Sequence, residues 1–120
     1  MDCLFCKIVN GDIPSYKVYE DDVVYAFLDI NPVNPGHILI IPKVHTLDVD
    51  SIDNETLIHE FEVARIMKKL VMDKLGCDGV RLVQNNGSVQ EVKHYHLHVI
   101  PFYKETKCEL SVEEVYEKIK

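Results

Sequence analysis

Apolar residues fall along this chain in two rhythms, a 3.6-residue one that marks helices and a continuous or alternating one that marks strands. From 54 to 75 no proline or glycine interrupts a run of good helix formers, Asp53 or Asn54 can cap its first turn, and Gly76 can end its last. The run predicts one long helix of about 33 Å. Leu57, Phe61, Ala64, Met67, Val71, Met72 and Leu75 share a broad stripe on it, the face expected to pack on a sheet. Val63, Ile66 and Leu70 form a second apolar strip roughly opposite, interrupted only by His59. One small sheet does not cover both, so the second strip is read as a dimer contact, or else as the seat of the chain's own C-terminal segment.

The strand-like runs are shorter. Residues 16–20 and 23–30 flank Asp21-Asp22 and suit a hairpin, with Val23, Val24, Tyr25 and Phe27 as strand-favouring types. The segment 31–36, rich in Asn, Pro and Gly, breaks the chain before a continuous aliphatic run, 37–42, that reads as a buried strand. Beyond the helix, 79–84 is another strand, Asn85-Asn86-Gly87-Ser88 a loop with exposed backbone N–H groups, and 94–102 an alternating strand. At the ends, 4–9 is a short apolar opening closed by the turn residues 10–14, and Ser111 with Glu114 forms a capping box opening a helix to about 119. The sum is an α+β fold in a single domain, 1–120, with an antiparallel sheet of about five strands, one long helix and one or two short ones.

Composition narrows the partners. With 47% hydrophobic and 28% charged residues the chain is an ordinary globular protein. Its net charge of −7 and the lack of any Lys/Arg cluster exclude a nucleic-acid partner, while one phosphate can still be held by backbone N–H groups and histidines. The longest apolar stretch, Ile38-Leu39-Ile40-Ile41, is too short to cross a bilayer, and Met1-Asp2-Cys3 lacks the basic and apolar regions of a leader, so a cytoplasmic protein is expected. Cys3 and Cys6 form a C-x-x-C pair while Cys77 and Cys108 stand alone, a pattern that favours metal ligation over a disulfide framework.

The 94–102 segment carries the chemistry. His94, His96 and His98 lie on one face and Tyr95, Leu97 and Val99 on the other. Neighbouring imidazoles are then about 6.6 Å apart along the strand. No packing need calls for three polar rings in a row, so they read as a site. An imidazole with an unperturbed pKa of about 6.5 is largely neutral at cytosolic pH, and its free nitrogen can attack without prior deprotonation.

Through His94-Tyr95-His96-Leu97-His98 followed by Val99-Ile100, the chain resembles the histidine triad family, whose signature is H-x-H-x-H and two hydrophobic residues. Cys3-Leu4-Phe5-Cys6-Lys7-Ile8, Ala26-Phe27-Leu28-Asp29-Ile30, Pro35-Gly36-His37 and Ile41-Pro42-Lys43 match further landmarks in the family's order. The resemblance implies the histidine triad fold, a homodimer, and hydrolysis or nucleotidyl transfer at the α-phosphorus of purine nucleotide derivatives: phosphoramidates, adenylates or dinucleoside polyphosphates. It implies that His96 is the nucleophile, held by the backbone carbonyl of His94, and that His98, His37 and Asn85 assist at the phosphate. Asp29 would accept the ribose hydroxyls, Ile8, Phe27 and Ile30 would form the base slot, and Gln90 would also meet the substrate. Some relatives with this C-x-x-C bind zinc, which here would use Cys3, Cys6, His45 and His94 as a closed structural site with no place for water.

The sequence also departs from the family's pattern. The loop 85–90 is shorter than is common, Val89 stands where a Gly often precedes the Gln, and Glu91 occupies a position where relatives carry a hydroxyl residue or Glu. Phe102 replaces an Arg found in many relatives, removing one anchor for a polyphosphate. Two other function classes remain open: a zinc hydrolase ligated by His94, His96 and His98 with an open fourth position, and a nucleotide-binding module without useful catalysis.

Overall fold

Two central strands, β2 (Val24–Leu28) and β3 (Ile38–Pro42), are buried along their whole length, and their alternate side chains feed two separate cores. Val24, Ala26, Leu28, Ile38 and Ile40 point to one side, Tyr25, Phe27, Leu39 and Ile41 to the other. In the computed structural model, which describes residues 3–104 and 109–120, these strands sit within a five-stranded antiparallel sheet. Its order is β1-β2-β3-β5-β4, where β1 is Lys17–Glu20, β4 is Gly79–Gln84 and β5 is Leu97–Phe102. Helices α2 (Asn54–Leu75) and α3 (Val112–Ile119) cover the first face, and α1 (Leu4–Val9) covers the second. The fold is therefore α+β, as the periodicities predict. Cys108 lies outside the described residues.

Local chemistry sets the boundaries. Asp21 closes the β1–β2 turn by accepting the backbone N–H groups of Val23 and Val24 at 2.8 and 2.9 Å. Asp53 caps α2 by accepting from Thr56 N–H, Gly76 ends it in the left-handed region at φ 66°, and α3 opens with the Ser111–Glu114 capping box. The strand expected over 94–102 begins only at Leu97, which pairs with Ile40 and Gln84. Before it, the N–H of His94 goes to Val92 O and that of Tyr95 to Thr46 O, so the backbone serves the loops instead of a ladder. The alternation persists all the same, with Tyr95, Leu97 and Val99 in the core beneath the helices.

The buried face of α2 is rotated from the expected stripe. Glu60, Val63, Ala64, Met67 and Val71 are buried, whereas Phe61 is 43% exposed. The shift arises because α3 packs on α2 and brings Val115 and Ile119 into the same core, which covers the side bearing Val63 and part of Leu70. The chain's own C-terminal segment thus takes up part of the second strip, and Ile66 stays exposed.

Glu60 is the anomaly of this core. It is fully buried, neither carboxylate oxygen has a hydrogen-bond partner among the described residues, and burial together with the nearby Asp21 charge pushes its pKa up to about 9. The folded chain therefore keeps a proton that the unfolded chain releases above its ordinary value of 4.5. Stability from this group falls as pH rises through that interval and levels off above the folded value. Above about pH 8, where unfolded histidines are neutral, urea unfolding should show a midpoint that declines with pH, by at most about 1.4 kcal/mol per unit from this group. His59, whose pKa is raised by its hydrogen bond to Asp21, adds a decline of the same sign. Glu60→Gln should flatten the decline; an equally steep slope in the variant would place its origin elsewhere.

Candidate active site

The three histidines of the 94–98 segment leave the sheet on the face opposite Tyr95 and Leu97. His96 Nδ1–H donates to the carbonyl of His94 at 2.8 Å, which leaves the lone pair on Nε2. The Phe5 ring of α1 stands edge-on to His96 with centroids 5.1 Å apart and fixes the ring plane from the other side. His37 arrives from the β2–β3 connection. There Gly36 has φ 92°, a backbone conformation that favours glycine, and a Cβ would also press on Leu75 Cδ1 of α2 at 2.5 Å.

A chain of hydrogen bonds then assigns the protons. His37 Nδ1 accepts from Val33 N–H at 3.1 Å, so the His37 proton is on Nε2, which donates to His98 Nδ1 at 2.8 Å. His98 is left with a proton on Nε2, and that atom is buried without a partner among the described residues. Burial lowers the pKa values of His37 and His96, and takes that of His98 down to about 4 with help from the neighbouring His96 and His37. All three rings are neutral near pH 7. Asp29 lies beside them, its Oδ2 3.7 Å from His37 Nε2 and its Oδ1 accepting from Asn31 N–H at 2.8 Å. Asp29, His37 and His98 are close enough to hold a cation, but His37 Nε2 already carries a proton, so the trio is a hydrogen-bond chain and not a ligand set.

Two pockets meet at these rings. The first, of about 270 Å³, runs to an apolar end made by Phe5, Ile8, Ile13, Phe27 and Leu39. The second, of about 260 Å³, is walled by Val33, Val83, Val89 and Ile100 and includes Asn85. Asp29, Asn31, Glu91, His96 and His98 belong to both. Of the residues expected at a substrate, Asp29, His37, Asn85, His96 and His98 are gathered here, Ile8 and Phe27 line the first pocket, and Ile30 sits on its rim, 70% exposed. Gln90 lines neither pocket. It is buried and donates its side-chain amide to Leu47 O at 2.6 Å, because that carbonyl of the 43–53 loop turns inward. Sequence reasoning missed Phe5 as a ring support and Lys93 as a brace of the 85–93 loop through Gly87 O and Gln90 O. An apolar residue in a short helix and a lone lysine carry no signal of either role.

A second cluster lies under the first. Cys3, Cys6, His45 and His94 bring their donor atoms within 4.8 Å of one another, with Cys3 Sγ and Cys6 Sγ at 3.3 and 3.6 Å from His94 Nδ1 and Cys6 Sγ at 3.4 Å from His45 Nδ1. Tetrahedral zinc with ordinary bond lengths has donor-to-donor edges of about 3.4–3.8 Å, so the set fits. His94 Nε2–H donates to Pro42 O at 2.8 Å, which leaves Nδ1 as the ligand atom aimed at the thiols. The expected alternative, three triad histidines around one metal, does not survive this arrangement. His94 offers Nδ1 to the cysteines, His96 spends Nδ1–H on a carbonyl, and no cluster of the three occurs among the described residues.

Comparison with known proteins agrees with this geometry. The HIT domain family matches residues 10–105. An uncharacterised HIT-like protein of Methanocaldococcus jannaschii is 48% identical over 104 residues, 85% of this chain and 80% of that protein. The adenosine 5'-monophosphoramidase of Saccharomyces cerevisiae is 45% identical over 101 residues, 82% of this chain and 61% of its own length. A zinc-bound histidine triad family protein from Mycobacterium smegmatis superposes with TM-score 0.90 at 34% identity, covering 99% of this chain and 91% of that one. The chain belongs to the HIT, or histidine triad, family.

Proposed function

We propose that this protein hydrolyses phosphoramidates and related α-phosphorus derivatives of purine nucleotides through a nucleotidyl-His96 intermediate, as a single histidine triad domain. One observation carries the reading: at the joint of the two pockets His96 presents an unprotonated Nε2, while His98 presents an unmatched Nε2–H. A planar base fits the apolar end of the first pocket, and Asp29 between base and histidines suits the two ribose hydroxyls. The yeast relative's name, a monophosphoramidase, supports the same reaction class.

The step follows from the tautomers. His96 Nε2 forms a bond to the α-phosphorus as the bond from phosphorus to the leaving nitrogen breaks, and that nitrogen keeps the electron pair and takes a proton from water. His98 Nε2–H donates to a phosphoryl oxygen, as does the Asn85 amide, so the developing charge meets donors placed in advance. Water then adds to phosphorus, the pair returns to His96 Nε2, and a nucleoside monophosphate leaves. His94 is shared between this chemistry and the second cluster, since its carbonyl orients the nucleophile and its Nδ1 faces the thiols. Zinc held by Cys3, Cys6, His45 and His94 supplies a closed structural tie and no reacting group. Two thiolates as ligands suit the reducing cytosol. Homodimerisation is supported by the open β4 edge and by Leu82 and Ile66, which stay exposed on the α2 side.

Two outcomes are expected. Rapid quench of the protein with adenosine phosphoramidate, followed by mass spectrometry, should find AMP on His96; His96→Ala should lose the adduct and lower kcat/KM by roughly 10³-fold or more. Turnover with no adduct would sink the covalent reading, and binding without turnover would favour a binding module. For the metal, elemental analysis should give one zinc per chain, and a strong chelator or Cys6→Ser should lower Tm by several degrees, on the order of 1–2 kcal/mol or more. An unchanged Tm would count against zinc.

A further inference from the structure

The reaction above leaves the departing group unspecified, and the second pocket specifies its charge. Among the described residues, no lysine or arginine lines either pocket. The acidic groups there are Asp29 and Glu91, and the three site histidines are neutral. Asp29 is already engaged by Asn31 N–H and His37. Glu91 differs: it is exposed, it forms no hydrogen bond or ion pair with any described residue, and its charge is felt at His96. It therefore lines both pockets together with the nucleophile and has no partner among the described residues, and the second pocket is walled by Val33, Val83, Val89 and Ile100.

Two basic residues of the neighbouring segments have their head groups held outside the pocket lining. Lys93 Nζ is bound to Gly87 O at 3.0 Å and to Gln90 O at 2.9 Å, and the Arg81 guanidinium stacks over Phe102, 5.4 Å from the ring centroid. Arg81 shares the site face of the sheet, paired with Ile100, but its head is one residue pair further along and does not reach the pocket lining. A pyrophosphate or second nucleotide leaving through this pocket would bring anionic oxygens against Glu91 with no lysine or arginine in the described lining to meet them. An alkyl chain would instead lie on the valines, and a terminal ammonium would give Glu91 its missing partner.

We propose that Glu91 is a specificity-determining residue that selects leaving amines carrying a second positive charge, so that the preferred substrates are nucleoside phosphoramidates of alkyl diamines. This rests on the hydrolase reading above, and the test separates the two. Three AMP phosphoramidates of equal length would be compared, with the leaving amine ending in an ammonium, a methyl or a carboxylate. The wild type should prefer the ammonium compound over the carboxylate one by about tenfold in kcat/KM, less at high salt. Glu91→Gln should bring the ratio close to one, and Glu91→Lys should invert it. Equal kcat/KM values in the wild type, or a preference that persists in Glu91→Gln, would overturn the proposal. Should none of the three be turned over, the hydrolase reading fails, and calorimetric Kd values for the intact compounds decide this one. A preference for the ammonium compound that Glu91→Gln removes would uphold it, and equal Kd values would refute it.

Discussion

The hydrogen bond from His96 Nδ1–H to the carbonyl of His94 is the constraint on which the site depends. A neutral imidazole has one proton and two nitrogens, and whichever nitrogen donates leaves the other as base or nucleophile. A carbonyl only accepts, so this bond fixes the tautomer. The bond exists because the chain has not yet entered the sheet ladder: β5 begins at Leu97, and the His94 carbonyl is free to take a side chain from two residues on. Had the regular strand started at 94, that oxygen would have been claimed by a neighbouring strand. Departure from regular structure thus creates the reactive group.

The same logic extends outward through His37 and His98 and inward through His94. Val33 N–H fixes His37, His37 fixes His98, and each assignment follows from a donor that has no alternative. Burial keeps all these rings neutral, so the site meets a phosphate with oriented donors instead of net positive charge. That economy of cations gives Glu91 its weight, because no lysine or arginine among the described residues lines the pockets. On the other side, the Pro42 carbonyl fixes His94 and turns its Nδ1 toward Cys3 and Cys6, so one residue joins the metal cluster to the nucleophile.

The helical face follows a different rule, in which packing outweighs chemistry. Glu60 lies on the buried side of α2 with no partner among the described residues, a cost the fold tolerates because Val63, Ala64, Met67 and Val71 around it bury well against the sheet and α3. Protonation lessens the penalty without removing it.

The sequence by itself determined the class of fold, because period and length are local properties: the uninterrupted 54–75 run, the aliphatic 37–42 run and the Ser111–Glu114 box each specify an element without help from elsewhere. The candidate site was legible for a similar reason, since three alternating histidines have no packing use. The face of α2, the late start of β5 and the inward turn of Gln90 were decided only by tertiary structure. Each depends on a partner far away in the chain, α3 for Val63, Thr46 for Tyr95 and Leu47 for Gln90. Proton positions belong to the same class. Which nitrogen of His37, His94, His96 or His98 is free follows from where a distant carbonyl or N–H falls, and folding alone brings Val33, Pro42 and the triad to one place.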